Sequence, residues 1–282
     1  MNSISDSDAY FNPERMLVQH QAALTLLQDI LSDPIVTSVN WLDIACGRGQ
    51  IIANLKTNLS DSYRAKICYH GYDIDNGHTR NAKRVSESLR MKAVRFEIGE
   101  ISRFSAAFPP DQRFEFITLT NTVHEIFPKR LASILFDSLS RLSDNGRLFI
   151  YDMETLPSPE LGAVTWSAGE IKSIISTMCN AIGAANYEPA VGQWQHQSCN
   201  GWNVQLRRQH LSTSVSLSGI RERVIQETAD RLCELIDQKL SQTRTVLESL
   251  TQYGTETGEE AKVKDACLYN FWALTRATGT PQ

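Results

Sequence analysis

The residues best suited to chemistry fall at the ends of apolar runs. Trp41-Leu42-Asp43-Ile44-Ala45-Cys46-Gly47-Arg48-Gly49 leads into a tight glycine turn, and Gln50-Ile51-Ile52-Ala53-Asn54-Leu55 continues as a helix. Such a turn lets a ligand press against backbone that side chains would otherwise block. Asp73 closes the run Tyr69-His70-Gly71-Tyr72, about 25 residues further on, near the spacing of an acid that accepts hydrogen bonds from both hydroxyls of a ribose. Glu100 follows Phe96-Glu97-Ile98-Gly99, and Asn121, His124 and Glu125 follow the run Phe114–Thr120. An imidazole titrates near neutrality, so His124 is the candidate for a base. Glu125 and Asp152 are candidates for orienting it or a substrate. No pair among the six cysteines has CxxC spacing, and His196 and Cys199 have no partner at metal spacing, so no metal is assigned.

Alternating strands and helices must position these residues. Strands are expected over Asn40–Ala45, Lys66–Tyr72, Ala93–Ile98, Phe114–Thr120 and Arg147–Tyr151, the last preceded by a turn at Asp144-Asn145-Gly146. Helices are expected over Gln50–Leu59, Gly77–Arg90 and Lys129–Leu142. The alternation argues for a parallel sheet covered on both faces. Ligands of such sheets bind beyond the carboxyl ends of the strands, where strand order reverses. A first helix opens at Asn12-Pro13-Glu14 and runs to about Leu31, where Asp33-Pro34 ends it. Gly169–Ala181 reads as a further helix, and Asn186–Gln193 and Trp202–His210 as strands closing one sheet edge.

From Ser218 the pattern changes. Ile220, Val224, Ile225, Leu232, Leu235, Ile236, Leu240, Val246, Leu247 and Leu250 form an apolar stripe on a long helix. Gly254 and Gly258 break it before a last helix over Glu259–Thr275. The stripe reads first as packing surface, and otherwise as a homodimer seam or a lid. The organisation is an N-terminal helical segment over residues 1–36, an α/β domain over 37–215 and a C-terminal helical extension over 216–282.

Composition bounds the class. Of 282 residues, 41% are hydrophobic and 21% charged, which fits a globular protein with a substantial core. The net charge of −4 gives no general affinity for nucleic acid or an anionic membrane. No apolar run approaches the roughly 20 residues of a membrane span. Met1–Asp8 is polar and acidic, without a secretory leader's basic start and apolar core, so a cytoplasmic protein with reduced thiols is expected.

The glycine segment resembles the S-adenosylmethionine (SAM) loop of class I methyltransferases, with Ala45 in place of the usual first glycine. The resemblance extends from Trp41 to Glu154 and implies a doubly wound, mostly parallel, seven-stranded α/β sheet with S-adenosyl-L-methionine as cofactor. By that likeness Asp43, Ala45, Cys46, Gly47 and Gly49 line the cofactor, Asp73 and Ile74 meet its ribose, and Glu100 and Ile101 its adenine. Thr120 and Asn121 would lie beside the methionine moiety, and His124 near the methyl group. Substrate walls would come from Tyr10, Phe11 and Arg15, from Trp166, and from Gln193–Trp202.

The expected reaction is methyl transfer to a small molecule or an exposed protein group. A non-catalytic SAM-binding module acting through its helical extension is a second reading. A nicotinamide oxidoreductase is a third, weakened by Ile52 at the third glycine position of the dinucleotide fingerprint. Enzymes that methylate DNA amino groups resemble one another in an Asp/Asn-Pro-Pro-aromatic loop. Here Thr120-Asn121-Thr122-Val123 lacks those prolines, so a flipped base is not the expected substrate.

Overall fold

A computed structural model of the chain describes residues 18–156, 158–184, 187–196, 199–211, 217–252 and 257–279. Its strands are β1 (Val39–Ile44), β2 (Ile67–Asp73), β3 (Ala93–Ile98), β4 (Phe114–Thr120), β5 (Leu142–Met153), β6 (Ala190–His196) and β7 (Cys199–Arg207). They form one seven-stranded sheet in the order β3-β2-β1-β4-β5-β7-β6. The pairs β1/β2, β1/β4, β2/β3 and β4/β5 are parallel. This is the expected doubly wound, mostly parallel α/β sheet. Strand order reverses between β1 and β4, which sets the crevice where such sheets hold ligands.

The helices are α1 (Val18–Ser32), the short turns α2 (Gln50–Ala53), α3 (Leu55–Asn58) and α4 (Asp61–Arg64), then α5 (Asn76–Glu87), α6 (Pro128–Ser140), α7 (Ala168–Ile182), α8 (Leu217–Gln252) and α9 (Gly258–Thr278). The helix expected over Gln50–Leu59 is interrupted at Asn54. There the side-chain Nδ2 donates to the Gln50 carbonyl at 3.0 Å, while the backbone N–H turns to Ile51 at 3.2 Å. A side chain thus takes an acceptor that the helix needs. The turn expected at Asp144-Asn145-Gly146 is instead part of β5. Phe114 pairs with Leu142 and Phe116 with Arg147, so the extra β5 residues bulge. The 3-10 turn Ile101–Ala107 was not anticipated. The start of the first helix, Tyr10, Phe11, Arg15, Asn186, Gln197, Ser198 and Gly254 lie outside the described residues.

The chain divides into two compact units. The first comprises residues up to Thr120 with Asp137–Tyr151 and Gln205–Gln209. Its core is aromatic: Trp41 meets Tyr69 edge-on at 5.0 Å between ring centres, and Phe108 meets Phe114 likewise at 5.3 Å. Edge-to-face pairs of this kind add about 0.5–1.5 kcal/mol to their burial. Arg141 is buried and ties the 3-10 turn after β3 into place, donating to Ser105 Oγ at 2.9 Å and to the Pro109 carbonyl at 2.5 Å.

The second unit comprises Asn121–Phe136, Asp152–Val204 and the chain from His210 onward. Within it α7 packs on α8, and α8 on α9. Ser167 opens α7 with a capping box to Glu170, and Gly183 ends it at φ 106°. Val224, Leu232, Leu235 and Ile236 of the α8 stripe are buried in this packing, whereas Val246 is exposed. Among the described residues no helix is long and apolar enough to cross a membrane.

Candidate active site

The first unit carries one group of the candidate residues, at the carboxyl ends of β1, β2 and β3. Backbone geometry dominates the loop after β1. Ala45 (φ 57°), Gly47 (φ 53°) and Gly49 (φ 84°) all adopt the left-handed region. The two glycines do so for different reasons. A Cβ on Gly49 would meet the Ala82 Cα at 2.9 Å, so glycine lets α5 approach. A Cβ on Gly47 would meet nothing within 4 Å among the described residues. Ala45 carries the strain of its φ without glycine's freedom, as residues at ligand sites often do.

Asp73 fixes this loop. Its Oδ2 accepts the Gly47 N–H at 2.8 Å, and its Oδ1 accepts the Asp75 N–H at 2.9 Å. The Cys46 N–H also bonds to the Tyr72 carbonyl at 3.0 Å. Asp75 caps α5 by accepting from the His78 N–H at 2.9 Å. Ile74 beside it is exposed. After β3, the Glu100 carboxylate accepts from Ser102 Oγ at 2.5 Å, and its carbonyl accepts from the Tyr72 hydroxyl at 2.9 Å. Ile101 begins the 3-10 turn, and Thr120 closes β4.

Asp43 lies beneath the loop, buried. Its Oδ1 accepts from Thr118 Oγ1 at 2.6 Å and its Oδ2 from the Tyr69 hydroxyl at 2.7 Å, while Trp41 Nε1 donates to Thr118 Oγ1 at 2.9 Å. Both oxygens are thereby engaged by side chains of the sheet. Burial pushes this carboxyl up to about 6 against the opposing pull of the two hydroxyls, and Asp73 adds to the rise. Burial and the neighbouring Asp43 and Asp73 likewise push the Cys46 thiol far up, so it is inert as a nucleophile.

The second unit, by itself, carries a separate group: Asn121, His124, Glu125 and Asp152. Asn121 adopts φ 51°, and its Oδ1 is buried without a hydrogen-bond partner among the described residues. A buried acceptor left in that state costs free energy unless a ligand supplies a donor. His124 sits in a 3-10 turn, Val123–Glu125, and is buried. Asp152 Oδ1 lies 2.6 Å from its Nδ1, and Asp152 Oδ2 accepts its backbone N–H at 2.8 Å. In the neutral ring, a carboxylate there holds the proton on Nδ1 and leaves Nε2 as the lone-pair atom. Nε2 faces Glu160 Oε2 at 3.3 Å and Glu125 Oε1 at 3.9 Å. Burial works against the imidazolium, but the Asp152 hydrogen bond and the charges of Asp152, Glu125 and Glu160 outweigh it and raise its pKa.

A sequence model described as a methyltransferase domain matches residues 35–212, well over half of the chain. The chain belongs to this methyltransferase family. Among solved structures, the methyltransferase is similar to the magnesium protoporphyrin IX methyltransferase (ChlM) of Synechocystis with bound SAH, at 12% identity and a TM-score of 0.50 over 72% of this chain and 92% of that one. It is also similar to a SAM dependent methyltransferase from Aquifex aeolicus, at 17% identity and a TM-score of 0.43 over 73% of this chain and 99% of that one. No curated protein sequence matches the chain.

Of the side chains singled out from sequence, His124, Glu125 and Asp152 come together in the methyltransferase's second unit. The loop residues, Asp73 and Glu100 occupy neighbouring strand ends of the first. Glu160 was not anticipated. It lies in an irregular stretch between Pro159 and Gly162, where no periodicity marks it, and it reaches Nε2 because the Val164 N–H bonds to the His124 carbonyl at 2.8 Å. Trp166 is buried, its carbonyl accepting from Trp202 Nε1 at 2.6 Å, so both rings serve the core of the second unit.

Proposed function

We propose that the protein transfers a methyl group from S-adenosyl-L-methionine to a small-molecule acceptor, with an exposed protein group as the alternative acceptor. The observation that carries this reading is the left-handed loop Ala45–Gly49, bonded to Asp73 and with no described atom within 4 Å of a Cβ at Gly47, inside a methyltransferase-family domain. The residues fit the cofactor. The loop offers close backbone approach, Asp73 offers a carboxylate at the β2 end, and the unpartnered Asn121 Oδ1 offers an acceptor for an ammonium.

When bound, SAM supplies a methyl group already made electrophilic by its sulfonium. The chain's own work is to align the acceptor and take up its proton. Asp73 would accept from the ribose hydroxyls, Glu100 and Ile101 would flank the adenine, and Thr120 and Asn121 would hold the methionine end. His124 receives the acceptor's proton at Nε2. Asp152 keeps Nδ1 protonated and carries the imidazolium that forms, and Glu125 lends further negative charge. Asp43 acts from below, bracing β1 through Thr118 and Tyr69.

The reading is tested by incubating the protein with methyl-labelled SAM and a broad panel of hydroxyl, amine and thiol acceptors. Label transfer to an acceptor, lost in His124→Ala, supports it. SAM binding without transfer to any acceptor would favour a binding module over an enzyme.

A further inference from the structure

The second unit holds three donor atoms arranged as a cation would need them. His124 Nε2 lies 3.3 Å from Glu160 Oε2 and 3.9 Å from Glu125 Oε1, and one ligand atom of each residue falls within 4.8 Å of the others. Donors bonded at about 2.1 Å to a tetrahedral ion stand roughly 3.4 Å apart, so little side-chain motion converts this triangle into three ligands. Both carboxylates are accessible from solvent, and Glu125 and Glu160 line a cavity of about 450 Å³ with Phe127, Leu161, Val164 and Arg276. An ion there would keep an open coordination position on the cavity side.

The ring is oriented for the task. Asp152 Oδ1 sits 2.6 Å from Nδ1 on the far side of the imidazole, which directs the Nε2 lone pair toward the two glutamates. Metal-binding histidines rely on a carboxylate in that position to fix tautomer and ring angle. The backbone pins the donors as well. Asp152 Oδ2 accepts the His124 N–H at 2.8 Å, and the Val164 N–H bonds to the His124 carbonyl at 2.8 Å, which anchors the stretch that carries Glu160.

We propose that His124 Nε2, Glu125 and Glu160 bind one divalent transition-metal ion. One imidazole with two carboxylates suits zinc, cobalt, manganese or ferrous ion, and disfavours magnesium and calcium, which prefer oxygen ligands alone. The ion and the acceptor's proton take the same lone pair, so zinc at this site suppresses methyl transfer. That consequence rests on the proposed function; the binding of the ion does not.

The test uses the full chain, stripped with a chelator and titrated with cobalt(II) chloride by calorimetry and absorption, with S-adenosylhomocysteine affinity measured on each protein to establish folding. The expected result is one cobalt per chain, with visible bands of a nitrogen–oxygen ligand set and no thiolate charge-transfer band. Glu160→Gln and Glu125→Gln should each weaken cobalt by at least about tenfold while leaving S-adenosylhomocysteine affinity in place. Absence of binding, unchanged affinity in either variant, or a thiolate signature from one of the cysteines would overturn the site. Loss of S-adenosylhomocysteine binding by the unmodified chain, with cobalt still bound, would instead count against the methyl-transfer reading.

Discussion

Asp152 accepts two hydrogen bonds from His124, one from the backbone N–H and one from ring Nδ1, at 2.8 and 2.6 Å. The same carboxylate therefore sets both the position of the turn and the tautomer of the ring. Asp152→Asn keeps the shape but puts an amide against Nδ1, which allows the opposite tautomer. Turnover should fall by about 10²-fold or more, with SAM affinity within about twofold, because only the proposed proton-accepting step is touched. Parallel turnover and calorimetry on the variant decide this; equal loss of both would mean that Asp152 merely holds the fold.

His124→Ala removes the proposed base outright. The expected loss is about 10²- to 10⁴-fold in kcat, the usual contribution of a positioned general base. SAM binding should persist, since the loop and Asp73 belong to other elements of the chain. Full turnover in this variant would take His124 out of the mechanism.

The two glycines of the loop should fail differently. Gly49→Ala drives a Cβ to 2.9 Å from the Ala82 Cα at φ 84°, and is expected to cost about 1–3 kcal/mol of stability. Gly47→Ala meets no atom of the described residues within 4 Å but adds a Cβ to the loop at φ 53°. Its stability cost should be about 1 kcal/mol, with cofactor affinity suffering more. Urea midpoints set beside SAM titrations separate the two. A Gly47→Ala protein with native affinity would contradict the placement of the cofactor against this loop.

Asp43 makes a pH prediction of definite sign. Burial raises its pKa from 3.8 unfolded to about 6 folded. The folded state therefore binds the proton more tightly, and this stabilisation is present below pH 3.8 and lost as pH rises through 6. Asp43→Asn removes the ionisation. Relative to the unmodified protein, the variant should gain stability as pH rises from about 4 to 6 and hold that gain above it, with an upper bound of about 3 kcal/mol. Chemical denaturation at pH 4, 6 and 8 measures the difference. A difference independent of pH would show that the carboxyl titrates normally.

Much of this architecture was legible in the chain because strand and turn signals agreed. The run Trp41–Ile44 ends where Ala45 and the glycines take left-handed backbone, and Asp73 ends β2 where its carboxylate binds that loop. Asn54 shows where legibility failed locally: a polar side chain competed for a helix acceptor, which apolar periodicity does not register. The β5 bulge failed for a related reason. Asp144-Asn145-Gly146 has turn composition, yet pairing with β4 draws it into the strand, a choice made by a distant partner. Glu160 was hidden because it sits in an irregular stretch, and only the bond from Val164 to the His124 carbonyl brings it to the imidazole. The burial of Asp43 was equally invisible, since it depends on Thr118 and Tyr69 of two other strands.

The Ala45–Gly49 loop and Asp73 are proposed to hold an adenosyl cofactor. Calorimetric titration of the purified chain and of Asp73→Ala with SAM, S-adenosylhomocysteine and NADH tests it most directly. The expected result is binding of both adenosyl ligands to the unmodified protein, weakened about 10- to 100-fold in the variant by loss of charged hydrogen bonds, and no binding of NADH. A chain that binds NADH in preference, or adenosyl ligands whose affinity ignores the loss of Asp73, would contradict the account.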